Sequence, residues 1–339
     1  MRKLAYTVTV DEITPIEGAD RIELARLMGW RVVVIKDQFK VGQKAVFFEI
    51  DSFLPIRPEF EFLRKSSYRK LKTGEEGFRL RTIKLRGQIS QGLLLPLSDF
   101  GLPDDTPLDT DLTEQLKVQE WDDVAPQPGA ILGGAGRSFP AFIPKTDEER
   151  VQTYKALDKF VGKHLVITEK VDGSSLTVYY RKADDKFGVC SRNRELDPDD
   201  TNAYWEVVRR YGLEEKMRVL GKDIALQGEM FGAGIQKNPY KMKDRQVLWF
   251  SAYDITKGER LNFVEMNAIL GELMLSSVPV IFSDKVSDQN VLNRDYWISL
   301  AEGKSVLGDT QREGIVVRIF DEYEYSFKAI SNKYLLSLE

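Results

Sequence analysis

A chain of 339 residues is long enough for about two domains at ~150 residues each, and its net charge of −4 excludes a protein that is basic throughout, so nucleic-acid contact would need a local basic patch. One cysteine, Cys190, excludes an internal disulfide, and with one histidine, His164, it excludes a His/Cys zinc site, which leaves carboxylates to hold magnesium or manganese. No apolar run approaches a membrane span and the start Met1-Arg2-Lys3 lacks a signal core, so a monomeric intracellular protein with no membrane partner, its compartment open, is expected.

In chain order, residues 4–10, 31–35 and 44–50 read as short strands separated by turn punctuation at Gly18-Ala19-Asp20, Gly29-Trp30 and Val41-Gly42-Gln43. Short strands without a long helix predict a small barrel. Ile16-Glu17-Gly18-Ala19-Asp20-Arg21-Ile22-Glu23, followed by Gly42-Gln43-Lys44-Ala45-Val46, resembles the OB-type domains that bind tRNA in some synthetases and their cofactors. Nine basic residues then fall between Arg64 and Arg86, opposed only by Glu75 and Glu76, with Tyr68 and Phe78 interleaved. That mixture suits a phosphate backbone with a stacked base. The first domain is expected over 1–98.

Residues 99–123 reverse the charge, with nine acids and one lysine, and Pro126, Pro128 and Gly129 follow. We read 99–136 as a linker, with Gly133-Gly134-Ala135-Gly136 as a hinge rather than a phosphate loop, because no strand leads into it and no Gly-Lys-Ser/Thr follows. The second domain is expected over 137–339. Thr146-x-x-Glu149 has the form of a capping box, and Val151, Tyr154, Leu157 and Phe160 keep helical spacing, so a helix is predicted there. Strands are predicted over 163–171, 175–181, 186–191, 222–231, 246–254, 312–320 and 324–330, and helices over 200–211 and 261–274. The fold class is α+β: an OB-like β-barrel followed by a domain of antiparallel sheets flanked by helices.

The second domain is organised around Thr168-Glu169-Lys170-Val171-Asp172-Gly173-Ser174-Ser175, read as strand, tight turn at Gly173, strand. Lys170 ends an apolar strand. An ammonium is costly to bury without a partner or a use, and one with cationic neighbours has a lowered pKa and becomes a nucleophile. Glu229 ends another strand, Glu313 opens the apolar Gly314-Ile315-Val316-Val317, Lys328 interrupts the last strand, and Arg192 and Arg194 follow Val189-Cys190-Ser191. Each alone is an ordinary strand-end ion pair. Together they supply one nucleophile, three carboxylates and several cations, the inventory for phosphoryl or nucleotidyl transfer with magnesium.

These residues resemble, in order, motifs of the covalent nucleotidyltransferases, the ATP-dependent ligases and GTP-dependent capping enzymes. They are Lys170-Val171-Asp172-Gly173, Ser191-Arg192-Asn193, Gly228-Glu229-Met230-Phe231-Gly232, Phe250-Ser251-Ala252-Tyr253-Asp254-Ile255, Glu313-Gly314-Ile315-Val316-Val317-Arg318, and Ser326-Phe327-Lys328-Ala329-Ile330-Ser331-Asn332-Lys333-Tyr334. The run Gly232-Ala233-Gly234-Ile235-Gln236-Lys237-Asn238, with an OB-like domain in front, is similar to the Deinococcus/Naegleria-type RNA ligases, the fifth class. One departure stands out: relatives often carry two lysines one residue apart in the last motif, and here Ser326 or Ile330 occupies the second position, with Lys333 as a possible substitute.

The resemblance implies an ATP-dependent RNA ligase that joins 3′-OH and 5′-phosphate RNA ends, at nicks in a duplex, through a lysyl-AMP. It implies Lys170 as nucleophile, Lys328 as the cation on the phosphate, and Asp172, Glu229 and Glu313 as oxygen donors for Mg2+ or Mn2+ or its waters. Glu229 and Arg192 would contact the ribose, Tyr253 would stack on adenine, Glu169 would orient the base, Glu313 would adjoin the nucleotide, and Arg150 and Arg318 would contact phosphate. DNA nicks, GTP-dependent capping chemistry and a non-enzymatic RNA-binding module are the alternatives.

Overall fold

The structure is a computed structural model that describes residues 2–71, 73–121, 136–199 and 201–338. The chain divides into two compact units, Met1–Gln127 with Leu335–Glu339, and Pro128–Tyr334.

The first unit is built from short antiparallel strands. β1 (Ala5–Thr9), β5 (Lys44–Phe48) and β11 (Leu93–Pro96) form one sheet, and β2 (Glu12–Pro15), β3 (Ile22–Leu27) and β4 (Trp30–Ile35) another. A third has the order β12-β6-β8-β7 (β6 Ser52–Pro55, β7 Tyr68–Lys70, β8 Glu76–Arg79, β12 Gln119–Glu120), and β9 (Ile83–Leu85) pairs with β10 (Gln88–Ser90). Val46, Phe48, Leu54, Phe60 and Phe78 fill the core.

Two expectations change here. The acidic stretch is not a linker over its described part: Leu112, Leu116 and Val118 lie in the same core, and Gln119–Glu120 pairs with β6. Leu112 N donates to Ala5 O at 2.8 Å, and the Thr113 hydroxyl accepts from Leu4 N at 2.9 Å, so the backbone is satisfied along β1 while Asp109 and Glu120 pair outward with Lys3 and Arg2. The acid count masked a few apolar residues at buried positions. The remainder of the expected linker, 122–135, with the hinge glycines Gly133 and Gly134, lies outside the described residues, as does Lys72 of the basic run. The basic run keeps its charge but loses one of its aromatics: Phe78 is fully buried and cannot stack on a base. Tyr68 stays half-buried, with the Arg64 guanidinium 5.0 Å from its ring centroid.

Among its described residues the second unit contains two sheets. The larger has the order β13-β17-β16-β15-β18-β19-β20, from β13 (Gly136–Ser138), β15 (Ser174–Arg181), β16 (Lys186–Cys190), β17 (Arg194–Leu196), β18 (Ile224–Gly232), β19 (Arg245–Asp254) and β20 (Glu259–Arg260). The smaller has the order β21-β14-β22-β23, from β14 (His164–Lys170), β21 (Val280–Lys285), β22 (Gly314–Ile319) and β23 (Ser326–Ile330). Helices α1 (Ala203–Arg210), α2 (Leu213–Leu220) and α3 (Phe263–Glu272) cover one face of the larger sheet, packing Trp205, Val208, Leu213, Met217, Met266 and Leu270 on Leu226, Met230 and Trp249. Asn202 caps α1 and an Asn262/Glu265 capping box starts α3. Helix α4 (Arg294–Ala301) lays Trp297 and Ile298 on Ile315, Val317 and Phe327 of the smaller sheet.

The predicted helix after Thr146 does not form. Residues 144–149 carry no helix and a short 3-10 turn covers only Leu157–Phe160. The reason is long-range: Arg150 makes a parallel bridge with Lys328, with Lys328 N donating to Glu149 O and Val151 N donating to Lys328 O, both at 2.8 Å. The segment serves the outer edge of β23, and Glu148 is drawn to Arg318 and Ser326 instead of starting a helix.

Candidate active site

Strand register assigns each polar residue to a face. Across β14, β22 and β23 the rungs Lys170–Gly314–Ile330, Thr168–Val316–Lys328 and Val166–Arg318–Ser326 share one face. The alternate rungs, Glu169–Ile315–Ala329 and Ile167–Val317–Phe327, lie on the opposite face, where Ile315, Ala329, Ile167, Val317 and Phe327 belong to the apolar core under α4. Lys170, Lys328 and Arg318 therefore line one surface, and Glu169 lies behind it. Its carboxylate accepts from Ser305 Oγ and from Val306 N at 2.8 Å, so it pins the 305–306 loop.

The stretch after Lys170 is not a hairpin turn. β14 belongs to the smaller sheet and β15 to the larger, so 171–173 carries the chain from one to the other. Gly173 does not take a positive φ; it is required for space, because a Cβ there would stand 2.4 Å from Met230 O and 2.9 Å from Glu229 Cγ. That close approach seats Glu229 beside the crossover. Glu229 points away from the helix-covered face, since Leu226 and Met230 point into it.

Lys170 Nζ lies 2.8 Å from Glu313 Oε1, both half-buried or deeper. Asp172 N donates to the Tyr240 hydroxyl at 2.7 Å, and the Tyr334 hydroxyl donates to the Asp172 carboxylate. Burial works to lower the Lys170 pKa, but the charges of Glu313, Glu229 and Asp172 outweigh it and hold the ammonium above its ordinary value. Burial first, with the Glu313 and Asp172 charges, pushes Glu229 up to about 8 against the pull of Lys170 and Arg192. Burial likewise raises Asp172 and Glu313. The centre gathers three carboxyls around one ammonium, and burial holds back their ionisation.

A stability prediction follows from Glu229. A carboxyl whose folded pKa is raised binds its proton more tightly in the fold than in the unfolded chain. Its contribution is present below about 4.5 and is lost as pH rises through 8. Glu229→Gln is therefore expected to match the wild-type Tm at pH 5 and to exceed it at pH 9. Thermal melts at the two pH values check this, and an equal difference at both would contradict it.

Among the described residues Asp172, Glu229 and Glu313 surround Lys170 without converging as a direct three-ligand cluster. Glu313 is drawn to Lys170 and Asp172 to Tyr334. Arg318 is 4% exposed, ion-paired with Glu148 at 2.5 Å and set near the rings of Phe250 and Tyr323, so it braces the floor instead of presenting a phosphate ligand. Arg150 is buried beside Lys328. Arg192 is exposed and pairs with Asp147 at 3.0 Å. Of the substitutes for the second lysine, Ser326 bonds to Glu148, Ile330 is buried and Lys333 is exposed.

Tyr253 is placed with Ile143, Tyr179 and Ile255, opposite Ala225. That is four residues before Glu229, roughly 13 Å along the strand at ~3.3 Å per residue. The aromatic on the Lys170 side is Phe250, packed with Val171, Phe231, Tyr240 and Val278. A register shift between Gln227 and Gly228 produces this exchange, and simple alternation does not reveal it. The sequence reading also missed Glu148, Tyr240 and Tyr334. Only Tyr334 carried a signal, its place at the end of the last motif.

A family model described as an OB-fold domain matches residues 4–97, and one described as RNA ligase matches 163–330. No curated protein matches the chain. Among solved structures, an apo variant of Naegleria gruberi RNA ligase is 38% identical, with 99% of this chain and 98% of that one covered and a TM-score of 0.91. A variant of that ligase with ATP and Mn is 37% identical over 99% of both chains, also at 0.91. The same ligase with PPi is 38% identical over 100% and 99%, again at 0.91. The first unit thus holds an OB-fold domain, and no described helix is long and apolar enough to cross a membrane. With the two units, the motif order and this identity over nearly the full length in agreement, the chain belongs to the RNA ligase family.

Proposed function

We propose that the protein is an ATP-dependent RNA ligase that seals 3′-OH and 5′-phosphate ends at nicks in an RNA duplex, acting as a monomer inside the cell. The observation that carries this is the Lys170 amine at the sheet crossover, 2.8 Å from Glu313 and surrounded by Glu229 and Asp172. The Naegleria gruberi ligase has been solved with ATP and Mn, and we extend that pairing to this chain. The Lys170 side chain attacks the α-phosphorus of ATP, a P–N bond forms, the α–β P–O bond breaks and pyrophosphate leaves. Glu313 is placed to take the ammonium proton before attack. Lys328, two rungs from Lys170 on the same face, offsets charge on the phosphate. Phe250 takes the adenine, with Arg192 and Glu229 at the ribose.

An Mg2+ or Mn2+ ion fits the donor set: Asp172, Glu229 and Glu313 are three carboxyls around one ammonium, a divalent cation there would favour their ionised forms, and they would accept from the waters such an ion keeps. When bound, the ion supplies charge neutralisation on the phosphates. A 5′-phosphate oxygen of RNA then displaces Lys170 from the adenylyl phosphorus. The RNA 3′-OH next attacks the adenylated 5′-phosphorus, and AMP leaves as the phosphodiester forms. The OB-fold domain, through the basic run from Arg64 to Arg86, is suited to grip the strand.

Sealing assays on matched nicks test the reading. A nicked RNA duplex is expected to seal with ATP and not with GTP, and faster than the all-DNA nick. Equal sealing of DNA, or a guanylylated product, would overturn it in favour of a DNA ligase or a capping-type enzyme.

A further inference from the structure

The loop that follows Glu229 is a second basic stretch, in the same unit as Lys170. Residues 232–245 carry four cations, Lys237, Lys241, Lys243 and Arg245, against one acid, Asp244, in a chain of net charge −4. Its backbone is costly to shape. Gln236, Asn238 and Lys241 have φ of 47°, 44° and 54°, besides Gly232 at 105° and Gly234 at 74°. Such strain persists only where the surroundings impose it, and it concentrates at functional segments. The surroundings here do impose it. Ile235 and Tyr240 are buried, Asn238 donates to Met242 O at 2.9 Å and accepts from Met242 N at 3.1 Å, and Tyr240 packs edge-on against Phe231.

The loop and α1 flank an open concave depression. This space of about 260 Å³ is lined by Arg210, Lys243, Arg245, Glu206 and Asp244, with Gly234 also at its wall. Two of its cations are preorganised: Arg245 is ion-paired with Glu206, and Arg210 donates to the Arg245 carbonyl. Arg245 Nε is buried with no hydrogen-bond partner. An unmet buried donor is costly unless a ligand or water meets it. The cavity is also tied to the reaction centre. The Gln236 amide donates to Gly173 O at 3.1 Å, and Tyr204 of α1 bonds to Ser174. Arg210 and Glu206 stand on that helix, on the face opposite Glu229, so the cavity sits around the rim of the strand ends.

We propose that the cavity between the 232–245 loop and α1 binds a backbone phosphate of the RNA strand at least one nucleotide away from the end being joined. Guanidinium and ammonium donors converging on a preformed concave site suit a phosphodiester. A contact beyond the reacting end orients the strand without entering the nucleotide site. This rests on the RNA ligase reading, so its test separates the two.

The experiment uses the full chain with Arg210→Ala and Lys243→Ala combined, and the charge-preserving pair Arg210→Lys and Lys243→Arg. Labelling of the protein by α-labelled ATP alone is expected to stay within about twofold of wild type. The Kd for a nicked RNA duplex without ATP should rise about 5- to 20-fold. The slope of log binding against log salt should fall by roughly one per lost contact, and the charge-preserving pair should restore most of both. RNA binding and salt slope unchanged in the double alanine variant would overturn the proposal. A parallel loss of ATP labelling, Tm and RNA binding, not restored by the charge-preserving pair, would overturn it too by marking the residues as structural. If wild type itself takes no label, the RNA-binding arm still decides the cavity's role while the ligase reading fails.

Discussion

Lys170→Ala is expected to abolish sealing of ordinary 5′-phosphate RNA, by roughly 10⁴-fold or more, the scale on which loss of a covalent nucleophile registers. It should leave sealing of RNA supplied already adenylated at its 5′ end largely intact. Only the first two steps use the Lys170 nitrogen; the last joins 3′-OH to the adenylated phosphorus. The fold should tolerate the change because Glu313, already pushed up by burial and held down by Lys170, takes a proton once that counter-charge is gone. Single-turnover sealing of the two substrates, with Tm as a folding control, measures this. Equal loss on both substrates in a folded variant would show that Lys170 is not the acceptor of AMP.

Gly173→Ala is expected to damage both stability and catalysis. Its Cβ would fall 2.4 Å from Met230 O, a strand backbone atom that cannot rotate away, and 2.9 Å from Glu229 Cγ. Overpacking of this kind costs about 1–3 kcal/mol. The displaced crossover would also shift Lys170 against Glu229, and misplacement by about 1 Å costs near 10²-fold in rate. Gly271, inside α3, is the control: a Cβ there meets nothing within 4 Å, so Gly271→Ala should stabilise by roughly 0.5–1 kcal/mol with activity unchanged. Chemical denaturation and the adenylylation rate read both variants. A Gly173→Ala protein as stable and active as wild type would remove the close-approach argument.

The sequence carried the parts of this site that depend on local pattern. Lys170 at a strand end and the apolar strand after Glu313 followed from short apolar runs, Glu229 proved to lie three residues inside its strand, and the order of the three carried the family resemblance. What it hid depended on distant partners. Thr146-x-x-Glu149 has the letters of a helix start, but Arg318 and Ser326, about 170 residues on, claim Glu148 and the edge of β23 claims the backbone. The acidic stretch looked like a tether because its core residues Leu112, Leu116 and Val118 are few and widely spaced. Tyr253 looked like the base-stacking ring until the β18–β19 register shift placed Phe250 beside Val171. Glu169 adjoins Lys170 in sequence and faces the other way, as alternation requires. Gly173 was read as a turn former, whereas the role found for it, making room for a second sheet, is not a local property.

The most direct test incubates the full-length protein with α-labelled ATP and Mg2+ or Mn2+, then maps any label by peptide mass. The account predicts one AMP per chain, in acid-labile phosphoramidate linkage on the peptide containing Lys170, and none in Lys170→Ala. Folded wild-type protein that takes no label, or a label on another residue, would contradict it.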